Sequence, residues 1–235
     1  MSKKATTTGA RSKPESLAGS LIRFFRELNL TARRPKDIVV MNPYREPATM
    51  KLVETFCTKY YSDNKSRVLM LGINPGRFGS GTTGISFTDP IRLETACGIQ
   101  NILPKKPELS SDFIYRMMEA YGGPDKFYAR YFISAVSPLG FTQHGKNINY
   151  YDDKKLEAAI RPFAADCITR LVNMGMDRSR CYCVGEGKNV DFLRKLNTEF
   201  RWFDDIIPLA HPRFIMQYRR KQLNAYIDKY LEALR

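Results

Sequence analysis

The sequence predicts an α/β fold in which a parallel sheet is covered by helices on both faces. Two observations predict it. Four short apolar runs, at residues 68–73, 131–136, 181–184 and 206–209, have the length and composition of buried strands, and segments with helical apolar spacing separate them. Strands that alternate with helices join in parallel through crossover connections, and such sheets hold their ligands at the carboxyl ends of the strands.

Residues 1–16 are rich in Thr, Ser, Gly and Lys and poor in apolar side chains, so a flexible basic arm is expected there and a single domain over 17–235. Leu17, Leu21, Phe24, Phe25 and Leu28 recur at helical spacing, and Met50, Val53, Phe56 and Cys57 repeat the pattern. Between the first two strands, Ile114, Met117, Met118 and Tyr121 mark a further helix. Helical patterns over 156–174 and 190–196 flank the third strand, and one over 223–234 closes the chain. No internal repeat is evident, and the linker-like string Pro104-Lys105-Lys106-Pro107 falls inside a connection rather than between two cores.

Composition bounds the partners. In 235 residues, 38 Lys and Arg against 24 Asp and Glu give a net charge of +14, which suits a polyanion and also suits a basic surface kept for solubility. Cys57, Cys97, Cys167, Cys181 and Cys183 form an odd set, and neither a signal peptide nor a long apolar span is evident. A reducing compartment is therefore expected: the cytoplasm, at the nucleoid in a bacterium, or the nucleus in a eukaryote. Cys181 and Cys183 lack a second pair or a nearby His to close a tetrahedral site, so no metal is expected and the pair reads as part of a buried strand.

The loops after the strands carry the chemistry. Residues 72–87 hold five glycines with no regular apolar period, and Phe78 and Phe87 lie in the same run. Glycines let several backbone N–H groups turn toward one ligand, and aromatic faces beside such donors suit a flat heterocycle. The familiar glycine-rich motifs fail on spacing. A P-loop ending at Gly187-Lys188 would need Ser or Thr at Asn189, a dinucleotide fingerprint from Gly185 would need glycine at Val190, and a nucleophile elbow at Ser86 would need glycine at Thr88.

After the fourth strand comes Ala210-His211-Pro212-Arg213-Phe214-Ile215-Met216-Gln217-Tyr218-Arg219-Arg220-Lys221. Of the two histidines, His144 lies in a polar loop where solvent exposure is expected, whereas His211 follows a buried strand at the ligand-binding edge. Phe214, Ile215 and Met216 among Arg213, Arg219, Arg220 and Lys221 read either as an apolar wedge with phosphate-binding cations or as a loop packing into a basic helix.

With both loops in view, the sequence resembles the uracil-DNA glycosylase superfamily, and within it the single-strand-selective monofunctional branch. Gly72-Ile73-Asn74-Pro75-Gly76 is similar to the superfamily's catalytic motif, Phe78-Gly79, Thr83-Gly84 and Phe87 keep the branch's further spacing, and His211-Pro212 looks like the start of its second motif. The likeness extends over roughly residues 67–220.

The resemblance implies a three-layer αβα sandwich around a central four-stranded parallel sheet. It implies hydrolysis of the N-glycosidic bond of uracil or a related damaged base in DNA, as in base excision repair, with no cofactor. Asn74 would position water, His211 would stabilise charge on the departing base, and Phe87 would stack on it. Ile73, Gly76, Phe78, Ser134 and Ser137 are the further base-binding candidates, and Arg213, Phe214, Arg219, Arg220 and Lys221 the DNA-binding ones. A monomer acting on single-stranded DNA, with duplex as a further substrate, is expected. The residue types agree: an amide cannot act as a general base near neutral pH, so Asn74 suits a dissociative reaction in which the sugar becomes cation-like before water attacks.

Two departures matter. The branch reads the base's pairing edge with an asparagine three residues before a Pro-Leu pair, and here that position is Ala135 ahead of Pro138-Leu139. Ser134, Ser137, Asn147 and Asn149 are candidates to replace it. The wedge also differs, with Arg213-Phe214-Ile215 after His211-Pro212. Ala135 motivates an alternative, a damaged-base or single-stranded DNA binding module without chemistry, and Ser86 with His211 a weaker one, an α/β serine hydrolase.

Overall fold

A computed structural model describes residues 16–235. Apart from Ser16, the arm expected over 1–16 lies outside the described residues. Ser16 caps α1 (Leu17–Glu27) by accepting the Gly19 N–H at 3.3 Å, and the helix buries Leu17, Leu21, Phe24 and Phe25 on one face. β1 (Ile38–Met41) and α2 (Pro47–Tyr61) lead to β2 (Val68–Gly72). The short helices α3 (Ser80–Thr83) and α4 (Pro90–Thr95) then precede α5 (Leu109–Tyr121) and α6 (Pro124–Tyr128). β3 (Tyr131–Ala135), β4 (Gly140–Gln143) and β5 (Lys146–Ile148) are followed by α7 (Lys154–Asn173) and β6 (Arg180–Val184). The chain ends with α8 (Lys188–Phe200), β7 (Asp205–Leu209), α9 (Pro212–Tyr218) and α10 (Leu223–Ala233).

The main sheet has the order β3-β2-β6-β7 with every pair parallel, in the register Val68↔Tyr131, Leu69↔Cys181 and Cys181↔Ile206. Its strands match the four apolar runs to within about one residue at each end. Every residue of β2 and β3 is buried, as expected of strands covered on both faces. The same cover buries Cys181, Tyr182 and Cys183 together. Pro208 is tolerated because β7 is an edge strand and needs no further N–H donor.

Helices flank the sheet in two groups. One joins α1, α2, α7 and α8: the Arg170 guanidinium pairs with Glu27 at 2.6 Å and lies over Phe24, and the Trp202 indole, just past α8, donates to Thr169 at 3.0 Å. The other joins α5, α9 and α10, with Phe113 edge-on to Tyr230 at 5.0 Å.

A second, antiparallel sheet of order β1-β4-β5 was not foreseen. Its β4–β5 hairpin turns at His144 and Gly145, both at positive φ (48° and 71°), the geometry that tight two-residue hairpins need. His144 is exposed there, as its polar setting suggested. Gly140 lets this sheet sit against the loop after β2, since a side chain there would meet the Pro75 carbonyl oxygen at 2.5 Å. The register of the small sheet thereby brings residues 147–151 beside Asn74.

Candidate active site

The carboxyl ends of β2, β3 and β7, together with the strap after β5, enclose a cleft of about 490 Å³. Its floor begins at Gly72. The Phe87 ring lies directly over this residue, so that a β-carbon there would approach Phe87 Cζ to 2.9 Å. Only glycine lets the ring settle onto the end of the strand.

Asn74 is held by three hydrogen bonds. Its Nδ2 donates to the Ile148 carbonyl at 3.2 Å and to the Pro75 carbonyl at 3.4 Å, while its Oδ1 accepts the Tyr150 N–H at 3.0 Å. A carbonyl and an N–H on one strap therefore fix which end of the amide is oxygen. Oδ1 keeps a second lone pair for a further donor.

Phe87 adopts a positive φ of 52°, costly for a non-glycine residue, and its neighbours hold it there. The buried Thr83 hydroxyl donates to the Thr88 carbonyl at 2.7 Å and accepts the Ile85 N–H at 3.2 Å. The Thr88 hydroxyl shares a hydrogen bond with the Tyr115 hydroxyl at 2.9 Å, anchoring the loop on α5. Buried Asp89 accepts from the N–H of Arg92 at 2.8 Å and of Glu108 at 3.0 Å, which locks the next turn.

His211 caps α9. Its Nδ1 accepts the Arg213 N–H at 3.1 Å, which places the ring proton on Nε2. Burial, and then the charge of Arg213, lower its pKa to about 4, so the imidazole is neutral at physiological pH. The Phe87 and His211 rings lie 5.9 Å apart, tilted by 58°. Across the floor, Ser134 is buried and lines the cleft together with Ala135.

Of the sequence candidates, Ile73, Asn74, Gly76, Phe87, Ser134, His211, Arg213 and Phe214 all line the cleft, as do Asn147 and Asn149. Ser137 does not: it is fully buried and spends its hydroxyl on the Leu139 carbonyl at 2.8 Å, because the chain turns inward after β3. Phe78 stands outside the lining residues, 46% exposed, between Arg77 and Lys106. Arg219, Arg220 and Lys221 are exposed just beyond α9 rather than in the cleft. Ile215 and Met216 are buried in the core, so neither belongs to a wedge. Ser86 lines the cleft but makes no hydrogen bond to His211, whose Nδ1 is already engaged.

Sequence reasoning missed Glu108, Ser110, Ile148, Tyr151, Gln217 and Tyr218, all of which line the cleft. Tyr218 had a signal, its helical spacing of four from Phe214. Ile148 and Tyr151 had none, because β5 is short and polar and Tyr151 lies in the turn beyond it. The Glu108 carboxyl is raised above the usual range, chiefly by burial, with a Ser110 hydrogen bond opposing and Asp89 adding to it. Among the described residues no group of His, Cys, Asp and Glu is arranged to hold a metal ion. No helix among them is long and apolar enough to cross a membrane.

The family model of the uracil DNA glycosylase superfamily matches residues 58–235. The crystal structure of wild-type Pedobacter heparinus SMUG2 superposes with a TM-score of 0.91 at 46% sequence identity, covering 93% of this chain and 97% of that one. The family match includes all four strands of the main sheet and every residue that lines the cleft. The chain belongs to the uracil DNA glycosylase superfamily, in its SMUG-like branch, and is a DNA glycosylase.

Proposed function

We propose that this enzyme is a monofunctional glycosylase that hydrolyses the bond between uracil, or a related damaged base, and its deoxyribose, acting as a monomer and favouring single-stranded DNA. The observation that carries the reading is that Asn74 and Phe87, from the loop after β2, and His211, from the end of β7, line one cleft. The extracted base stacks on Phe87 with its carbonyl edge toward His211 Nε2–H. As the C1′–N bond breaks, both electrons leave with the base, and the neutral imidazole donates to the oxygen on which charge builds. That donor contributes about 3 kcal/mol, by comparison with single oxyanion-hole donors.

Asn74 Oδ1, steered by Tyr150 N–H, accepts from the water that adds to the cation-like C1′. Water's second proton leaves to solvent or to the departing base, so the amide itself never has to be protonated. No lysine is among the residues that line the cleft, which favours water over a covalent imine intermediate. With Ala135 unable to hydrogen-bond, the Ser134 hydroxyl and the Asn149 amide read the pairing edge of the base. Arg213, Phe214, Arg219, Arg220 and Lys221 hold the DNA strand, and the product abasic site enters base excision repair.

Oligonucleotides containing uracil, hydroxymethyluracil, xanthine or hypoxanthine, single-stranded and duplex, test this directly. Alkali-labile sites together with free base are expected from the uracil-class substrates. Salt-sensitive binding without release of any base, at enzyme excess, would mean a binding module instead.

A further inference from the structure

Phe214 and Tyr218 stand four residues apart on α9 and so share one face of it, at the mouth of the cleft. They are 40% and 67% exposed, with ring centroids 5.8 Å apart and planes tilted by 42°. The opposite face of the helix does the packing, with Ile215 and Met216 buried. Ile215 and Met216 thus anchor α9 to the fold, and Phe214 and Tyr218 keep much of their ring surface open. Cations lie against these aromatic groups: the Arg219 guanidinium is 5.3 Å from the Phe214 ring centre, and the exposed Phe78 has Arg77 at 5.2 Å and Lys106 at 5.0 Å.

Exposed rings interleaved with Arg and Lys form the kind of surface on which unpaired bases stack while their phosphates are neutralised. We infer that Phe214 and Tyr218 form a stacking ledge for the unpaired nucleotides that flank the extracted base, with Phe78 as a third platform on the loop after β2. The inference rests on the DNA-glycosylase reading above and adds to it the residues that select the strand. A duplex hides the faces of its bases within the helical stack, so only an unpaired base can lie on an exposed ring. The ledge thus favours single strands without any base-specific hydrogen bond. The excess of positive charge around it, from Arg213, Arg219, Arg220 and Lys221, complements the phosphates of that strand.

The test measures affinity for a short uracil-free oligonucleotide, single-stranded and in duplex, by fluorescence anisotropy over a salt series. It uses the full chain, Phe214→Ala, Tyr218→Ala, the double variant and Tyr218→Phe, with uracil release by the wild type followed in parallel. Tyr218→Ala is expected to lose about fivefold or more in single-strand affinity and less than about twofold on duplex, with an unchanged salt slope because no phosphate contact is lost. Tyr218→Phe should bind as the wild type does. Equal losses on both strand forms, no loss in the double variant, or a Tyr218→Phe as weak as Tyr218→Ala would each overturn the ledge. If the wild type releases uracil while the ledge variants bind normally, the ledge alone falls. A wild type that neither binds DNA nor releases base removes the underlying reading as well.

Discussion

Protonating His211 is the perturbation whose consequences the site geometry defines most closely. The only accepting atom of the ring, Nδ1, already receives the Arg213 N–H at 3.1 Å, so a proton added there would set two donors against each other and break the α9 cap. An ordinary histidine is half charged at pH 6.5, whereas one with a pKa of about 4 is under about 1% charged at that pH. The single-turnover rate of uracil release should therefore stay flat from pH 8 down to about pH 5.5 and halve only near pH 4. His211→Ala should lower the rate by about 100- to 1000-fold, corresponding to a donor worth about 3 kcal/mol, and remove the acid limb.

Stability follows the same linkage. The folded state binds fewer protons at this site than the unfolded chain between pH 6.5 and about 4. His211 therefore has no effect above that window, and stability falls as pH drops through it, by at most about 3 kcal/mol. The loss is complete below pH 4. Rate measurements on a uracil-containing strand, with nitrogen NMR of the imidazole to assign the tautomer, check both parts. A rate that halves between pH 6 and 7, or a resting ring protonated on Nδ1, would refute the neutral-donor argument.

The remaining predictions concern the cleft floor and the strap. Gly72→Ala should cost about 1–3 kcal/mol by overpacking against Phe87 and lower the glycosylase rate, since the strained loop leaves the ring little room to retreat; thermal denaturation and rate together test it, and an unchanged melting temperature would show that the ring moves freely. Asn74→Asp keeps the bond from Tyr150 N–H but turns an oxygen toward the Ile148 carbonyl, so a loss of about 1–3 kcal/mol is expected at neutral pH, recovering as acid protonates the new carboxyl; a pH-independent melting difference from wild type would argue against the clamp. Asn149→Ala should lower kcat/KM for uracil by about fivefold to tenfold, the worth of one hydrogen bond, and compress the preference for uracil over other bases; equal effects on every base tested would remove it from recognition.

Much of the fold was legible because a parallel sheet covered on both faces writes its strands as continuous apolar runs, and β2, β3, β6 and β7 appear in the sequence as such. The antiparallel sheet was not, because β5 is Lys146-Asn147-Ile148, three residues with a single apolar side chain, and β4 takes its other partner, β1, from about a hundred residues earlier in the chain. Ser137 was misjudged for a related reason: adjacency to a strand end does not say whether the next turn faces the cleft or the core.

By itself, the sequence determined the two loops and the residue types they carry. Asn74 and Phe87 lie within one glycine-rich run, and His211-Pro212 follows a strand, so strand-end chemistry and the family likeness both rest on local order along the chain. Tertiary structure alone decided how these groups are held. The Asn74 amide takes its orientation from Ile148 and Tyr150, more than seventy residues away. The neutrality of His211 comes from burial and from the charge of Arg213, and the ledge of Phe214 and Tyr218 emerges only because Ile215 and Met216 turn into the core. Hydrogen-bond partners, desolvation and the facing of a helix depend on what packs against a residue, and local patterns in a chain do not encode those neighbours.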